Sequence, residues 1–312
     1  MKISVVIPMF NAERTISVPL GSLLSQVLPA GDFELILVDD GSTDRSAVVA
    51  GSFLERASFS WSLLRGPRRG VSAARNRGIE AAQGEHVYFL DADDSLPPDF
   101  LAAVLDGVER KRADMAWTWK IKNPGEFPAL VRHPMNGHLT GMGCLEAFLR
   151  EPKNGQVMVR KSFLDSSGIR YTEGLAYGED FDFFVRLLAG ASLVHVEDRT
   201  FYLYRKHPLQ VTRTIDRLEA RQATDGTMRR LAAYLSSREV PGPIKLEMNR
   251  HIAMARINLL REAKKRARDG FFEALLQAPE SLDAIRFAGQ GLLPVKWQVK
   301  AAMLDLARMM KA

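Results

Sequence analysis

The chain of 312 residues contains a single cysteine, Cys144, so no internal disulfide can form and nothing in its chemistry requires an oxidising compartment. A lone cysteine without zinc-type spacing of His and Cys reads as a small buried apolar side chain, not as a nucleophile or metal ligand. Long apolar runs are also missing. No window reaches the roughly 18 apolar residues that a spanning helix needs. The opening, from Met1 to Thr15, turns polar early and lacks a small-residue cleavage site, which argues against a signal peptide. Neither a P-loop nor a G-x-S-x-G nucleophile turn is present, and there is no internal repeat. These absences predict a cytoplasmic protein, with peripheral contact at the inner face of a membrane as the one qualification.

Excess charge is absent from most of the chain. The net charge of +6 falls wholly within residues 241–312, which hold 13 Lys/Arg against 7 Asp/Glu. That segment, not the rest, is the candidate for meeting an acidic surface. Residues 244–268 predict a long helix with an apolar stripe at 244, 248, 252, 255 and 259 and a basic run from Lys264 to Arg268. Leu292 to Met310 mixes Trp297, Leu and Met with Lys296, Lys300 and Arg308. Such helices either lie on anionic lipid or pack against the remainder of the protein or a second subunit, giving a homo-oligomer. The tail lacks an aromatic-and-basic platform, so nucleic acid is not an expected partner.

What is present is an alternation of short apolar runs and helical patterns. Ile3–Ile7, Phe33–Val38, Trp61–Leu64, Val87–Leu90 and Met115–Trp119 predict strands. Helices are predicted over 12–28, capped by Asn11, from about Thr43, over Val71–Ala82, and from about Pro98. Strands separated by helices imply βαβ units and a mostly parallel sheet. Residues 121–156, rich in Gly, Pro and His, read as loop. Beyond them come a strand at Val157–Val159, a helix at about 180–189, strands near 192–197 and 200–204, and a mostly helical region from about 215. The expected division is a catalytic domain over 1–215 and a helical, basic region over 216–312.

In open α/β sheets, the groups that do chemistry collect just beyond the carboxyl ends of the strands. Pro8–Asn11, the pair Asp39-Asp40 and the cluster Asp91, Asp93, Asp94 all fall there. Carboxylates on an extended loop can hold a hard cation, Mg²⁺ or Mn²⁺, with room left for phosphate oxygens. Taken singly, each cluster has a plain structural explanation as a turn or helix cap. Between them lies the basic stretch Arg68 to Gly78, whose helix start can attract anions. Arg75 and Arg77 project to opposite sides of a helix, so only one of them can face a ligand.

Val5-Val6-Ile7-Pro8-Met9-Phe10-Asn11 resembles the opening of the family 2 glycosyltransferases. Val38 to Asp44 resembles their nucleotide-binding turn, Ala73-Ala74-Arg75-Asn76-Arg77-Gly78 their basic helix, and Phe89-Leu90-Asp91-Ala92-Asp93-Asp94 their metal loop. The four stand in family order over residues 1–120, with a partial likeness to about 213. The resemblance implies a GT-A fold, a Rossmann-like mostly parallel sheet with a helical C-terminal region, that binds a nucleotide-sugar donor, usually a UDP-sugar, with Mn²⁺ or Mg²⁺. It implies Pro8, Phe10 and Asn11 beside the nucleobase, Asp39 and Asp40 on base and ribose, Arg75 toward the nucleotide or diphosphate, Asp91 near the ribose, and Asp93 on the metal.

Gly178-Glu179-Asp180 is similar to the pair that supplies the family's catalytic base, implying Asp180 as base with Glu179 beside it. By itself the pair reads as acidic residues placed favourably at a helix N-terminus. Tyr204 to Arg213 resembles a later family segment that sits near metal and diphosphate. His207 and Thr212 match that segment, while Gln210 stands where a Ser is common. Arg205 and Lys206 can contact phosphate oxygens or the acceptor as cations. The implied activity is single-displacement transfer of a sugar to an acceptor hydroxyl, on a saccharide or lipid-linked acceptor, in cell-surface polysaccharide synthesis. Two rivals are a sugar nucleotidyltransferase and a non-catalytic sugar-nucleotide or polysaccharide binder. The first normally carries a Gly-rich loop after strand one, where this chain has Pro-Met-Phe-Asn; the second is disfavoured by the presence of Asp93 and Asp180.

Overall fold

The computed structural model describes residues 1–121, 137–152, 155–205 and 215–266, and from there 272, 275–276, 278–291, 293, 297–298, 300–302 and 304–305. These fall into two compact units. One comprises Met1–Cys144, Pro152–Gly174 and Arg186–Pro208; the other comprises Leu145–Glu151, Leu175–Val185 and Leu209–Ala312.

The first unit is built on one sheet in the order β3-β2-β1-β4-β7-β5-β8-β6. Its strands are β1 (Ile3–Met9), β2 (Phe33–Asp39), β3 (Ser60–Arg65), β4 (His86–Phe89), β5 (Met115–Ile121), β6 (Gly137–Thr140), β7 (Gly155–Arg160) and β8 (Leu193–Leu203). The pairs β1/β2, β1/β4, β2/β3 and β5/β8 are parallel, while β7 runs antiparallel to β4 and β5, and β6 antiparallel to β8. Six strands therefore share one direction and two oppose it, which makes the sheet mostly parallel. All seven residues of β1 are buried, as befits a strand covered on both faces.

Helices α1 (Ser17–Leu24), α2 (Ser46–Leu54), α3 (Val71–Ala81) and α4 (Phe100–Arg110) connect the parallel strands. On one face the core gathers Ile3, Val5 and Ile7 of β1 with Leu20, Leu23, Phe100 and Val104. On the α3 side the approach is close, because Ser72, Ala73, Ala74 and Gly78 are small. A Cβ at Gly78 would overlap the Val6 side chain. Cys144 is fully buried, and burial pushes its thiol up to about 12, so it behaves as the apolar filler that its isolation implied.

Several boundaries differ from expectation. The helix expected over 12–28 is shorter, Ser17–Leu24, and its N-cap is Ile16, not Asn11. Asn11 sits at φ +48 and turns its side chain to another segment. The expected loop over 121–156 contains β6 and helix α5 (Gly141–Arg150); residues 122–136 lie outside the described residues. Glycines 137 and 141, read as loop formers, instead stand at the starts of these two elements. The two strands expected near 192–197 and 200–204 are one strand, β8, with a register shift against β5 between Trp117 and Trp119. Extra-long pairing absorbs an irregularity that looked like a break in the apolar pattern.

In the second unit, helices Arg217–Ser236, Gly242–Lys265 and Pro279–Gly289 enclose a separate core of Leu218, Ile257, Leu260, Leu276, Ala284 and Ala288. Ile244, Met248, Ala255 and Leu259 of the expected stripe are buried, and Leu259 belongs to that core. No helix among the described residues is long and apolar enough to cross a membrane.

Candidate functional site

The parallel strands β1, β2 and β4 end side by side, and the loops after β1 and β2 are tied to each other by side-chain hydrogen bonds. Asn11, just past β1, accepts from the Thr43 amide at 2.9 Å, while its own amide donates to Ser42 Oγ at 3.0 Å. Ala12 donates its amide to Ser46 Oγ at 2.7 Å. Asp44 accepts from the Glu13 and Ser46 amides. Burial works to raise the Asp44 pKa, but the hydrogen bonds from Ser46 and Glu13 prevail and hold it below the usual aspartate value. The turn after β2 is thus clasped to the end of β1 by Asn11, Ser42, Asp44 and Ser46.

Asp39 and Asp40 are both buried. Asp39 accepts from the Ser42 amide at 2.8 Å and faces Arg65 Nε at 3.4 Å. Asp40 turns the other way and accepts from the amides of Arg69 at 2.7 Å and Gly70 at 2.8 Å. The Asp40 carboxylate therefore anchors the stretch that leads into α3. Gly41 completes this joint: its φ is +78, and a Cβ there would lie 2.8 Å from the Arg68 nitrogen. The Arg68 guanidinium rests 3.6 Å from the centre of the half-buried Phe10 ring.

Within α3 the two arginines separate as helical geometry requires. Arg75 is buried, donates to Asp91 Oδ1 at 2.9 Å and lies over the Tyr171 ring at 4.9 Å. Arg77 donates to the Arg65 carbonyl instead. Asn76 between them is buried and exchanges two hydrogen bonds with the Tyr171 backbone, at 2.8 and 3.0 Å, fixing the segment that supplies the ring under Arg75.

The acidic loop after β4 is partly committed to the protein. Asp91 takes hydrogen bonds from Arg75 and, at 3.1 Å, from Gln156 Nε2. Asp94 is buried and accepts from the Arg205 amide at 3.0 Å. Ser95 pairs in both directions with Leu203 of β8. Asp93 is half-buried between these two anchored neighbours. Beneath the loop, burial and then the negative charges of Asp94 and Asp91 raise the Tyr88 pKa well above its usual value, so the phenol stays neutral. Among the described residues no three His, Cys, Asp or Glu side chains cluster as a metal cage. With both Asp91 oxygens engaged, this donor set fits a cation shared with phosphate oxygens through one or two carboxylates, not one enclosed by protein ligands alone.

After the short helix α6 (Lys161–Ser167) comes α7 (Glu179–Gly190); Glu179 and Asp180, in the second unit, lie in its first turn, with Asp180 exposed and Glu179 half-buried. Gly178, at φ +87, makes the turn into that helix. Asp182, in the same turn, is fully buried and faces Arg230 Nε at 3.6 Å. Lys206, His207 and Thr212 lie outside the described residues, whereas Arg205 is exposed and held through its amide by Asp94.

Sequence reasoning missed Gln156, Asn76, Tyr171 and Asp182. Gln156 carries no local signal, because its role follows from β7 running antiparallel beside β4. Asp182 stands two residues beyond Asp180, where a third acidic residue in one helical turn was a usable hint.

Residues 4–209 match the family described as Glycosyl transferase family 2. The uncharacterized glycosyltransferase EpsJ of Bacillus subtilis is 26% identical over 218 residues, which cover 67% of this chain and 62% of that protein. The match thus spans less than two thirds of that relative's length. Among solved structures, Staphylococcus aureus TarS 1-349 in complex with UDP-GlcNAc superposes with a TM-score of 0.70 at 20% identity, covering 99% of this chain and 88% of the other. The mannosyltransferase PcManGT of Pyrobaculum calidifontis, in complex with GDP-Man and Mn²⁺, gives 0.62 at 17% identity, covering 98% and 87%. These likenesses establish the GT-A fold.

Proposed function

We propose that this chain, which belongs to glycosyl transferase family 2, moves a sugar from a UDP-sugar to an acceptor hydroxyl by a metal-assisted, inverting single displacement. The observation that carries the reading is the joining of three strand ends, those of β1, β2 and β4, around Phe10, Asp39, Asp40, Arg75 and Asp91. An aromatic ring, buried carboxylates and a buried guanidinium at the carboxyl edge of a parallel sheet suit a nucleotide. The UDP-GlcNAc and GDP-Man held by the two fold relatives support a nucleotide-sugar donor.

In this reading Pro8, Phe10 and Asn11 border the nucleobase, while Asp39 and Asp40 serve the base and ribose side. Asp40 does so by holding the Arg69–Gly70 backbone. Asp91 lies near the ribose, and Arg75 holds Asp91 in place while lending positive charge on the diphosphate side. Asp93 and His207 hold Mn²⁺ or Mg²⁺, which when bound offsets charge on the departing diphosphate. Arg205, Lys206 and Thr212 contact the diphosphate or the acceptor.

The acceptor oxygen attacks the anomeric carbon from the face opposite the diphosphate. The bond from that carbon to the diphosphate oxygen breaks, its electron pair leaving with the nucleoside diphosphate. Asp180 takes the acceptor's proton, and its exposure in the first turn of α7 suits a group that must meet an incoming hydroxyl. Glu179 orients the acceptor or its neighbour. We further propose that the acceptor is a saccharide or lipid-linked glycan in cell-surface polysaccharide synthesis.

Titration calorimetry of the full chain with UDP-, GDP- and dTDP-sugars, with and without Mn²⁺, tests the donor assignment. The tightest binding is expected for a uridine nucleotide with metal. Equal, metal-independent binding of all three nucleotides would remove the basis for it.

A further inference from the structure

The arginines around the strand ends divide into two kinds. Arg65 faces Asp39, Arg69 pairs with Glu173 at 2.9 Å, Arg75 pairs with Asp91, and Arg77 donates to a backbone carbonyl. Each of these guanidinium groups meets an oxygen. Arg68 is different: it is exposed, and its guanidinium carbon lies over the Phe10 ring, 3.6 Å from the ring centre. Its backbone has no such freedom. The Arg69 and Gly70 amides are held by Asp40, and Gly41 presses against the Arg68 nitrogen with room for no side chain of its own.

A long, exposed side chain has rotamers that can change while its backbone stays fixed. We propose that Arg68 and Phe10 form the two sides of a slot for a planar nucleobase. The guanidinium lifts from the ring to admit the base and then stacks on the base's far face. Guanidinium is planar and delocalised, so it stacks on a heterocycle as well as on phenyl, and a flat ammonium-free surface is what a lysine cannot offer. Arg68 is thereby a specificity-determining residue that selects a flat aromatic base, independently of the charges that hold the diphosphate. This inference rests on the nucleotide-site reading given above.

Calorimetry with UDP and Mn²⁺ on the full chain distinguishes the alternatives. Arg68→Ala is expected to weaken UDP binding about fivefold, and Arg68→Lys to stay near Arg68→Ala despite keeping the charge. Phe10→Leu should weaken binding too, and adding Arg68→Ala to it should cost little more, because one slot loses both walls at once. Inorganic pyrophosphate with Mn²⁺ should bind the wild type and Arg68→Ala equally. Thermal melts confirm that each variant is folded, which the exposure of Arg68 favours. Unchanged or tighter UDP binding by Arg68→Ala overturns the slot, as does full rescue by Arg68→Lys or a parallel loss of pyrophosphate binding, either of which would mark Arg68 as a simple phosphate-binding cation. If the wild type binds no nucleotide at all, the nucleotide-site reading falls first and the slot with it.

Discussion

The Arg75 guanidinium lies 2.9 Å from the Asp91 carboxylate, joining the basic helix to the acidic loop through one contact in which the arginine is buried and the aspartate a third exposed. Arg75 also covers the Tyr171 ring, and Asp91 takes its second hydrogen bond from Gln156. Two motifs separated in sequence are therefore one physical object, and perturbing either should disturb both.

Arg75→Ala is expected to destabilise the fold by about 2 kcal/mol, less than a fully buried pair would lose because Asp91 retains some solvent. It should also lower UDP affinity at least tenfold, on the order of the loss of one charge-assisted contact. Urea denaturation and calorimetry on the same preparation separate the two effects. Arg75→Lys should recover stability only in part, since an ammonium cannot reach Asp91 and cover Tyr171 in the same way.

Asp40→Asn replaces one acceptor oxygen with an NH₂ that faces a backbone donor. The expected cost is about 1–3 kcal/mol, the range for leaving one buried partner unsatisfied. Gly41→Ala tests the same joint from the other side, by strain at positive φ and by pressing on the Arg68 backbone. Both variants should lose nucleotide affinity while the helical unit, followed by the far-ultraviolet signal, persists. Normal affinity in both would show that the Arg68–Gly70 stretch does not shape the site.

Asp180→Asn should leave nucleotide-sugar binding intact and reduce turnover by about a hundredfold or more, the scale of a general base. Asp93→Ala should instead abolish the gain in donor affinity that Mn²⁺ provides. Turnover in Asp180→Asn equal to wild type would remove the base from that position.

His86 supplies a pH dependence. Burial, and then the positive charge of Arg160 across the β4/β7 pair, lower its pKa from 6.5 to about 4. Between those values the unfolded chain holds the extra proton and the folded chain does not. Stability from this group is thus complete above pH 6.5 and is lost as pH falls toward 4, by roughly 3 kcal/mol in all. His251, lowered mainly by burial, acts in the same sense. Urea midpoints at pH 7, 5.5 and 4.5 should decline, and His86→Leu should flatten the decline. An unaltered slope in that variant would assign it to other groups.

A mostly parallel sheet and its first five strands along the chain were legible because doubly covered strands leave continuous apolar runs, as in Ile3–Ile7 and Phe33–Val38; their order within the sheet was not. The split between Arg75 and Arg77 was legible for a similarly local reason, the angle between helix positions two apart. Asn11 misled because its side chain can cap a following helix or an adjacent turn equally well. Its true partner, Thr43, is distant in sequence. The loop reading of 121–156 failed because Gly and His at 137–141 carry a short edge strand and a helix start.

By itself, the sequence determined the family, the alternation of strand and helix, and the placing of acidic turns at strand ends, because each depends on residues close along the chain. Only the tertiary structure decided what those turns hold: that Asp40 grips the Arg69–Gly70 backbone, that Asp91 is shared between Arg75 and Gln156, and that Arg68 rests on Phe10. The reason is physical. A carboxylate's partners are set by which strands lie adjacent and in what direction, and that is settled when the whole sheet packs.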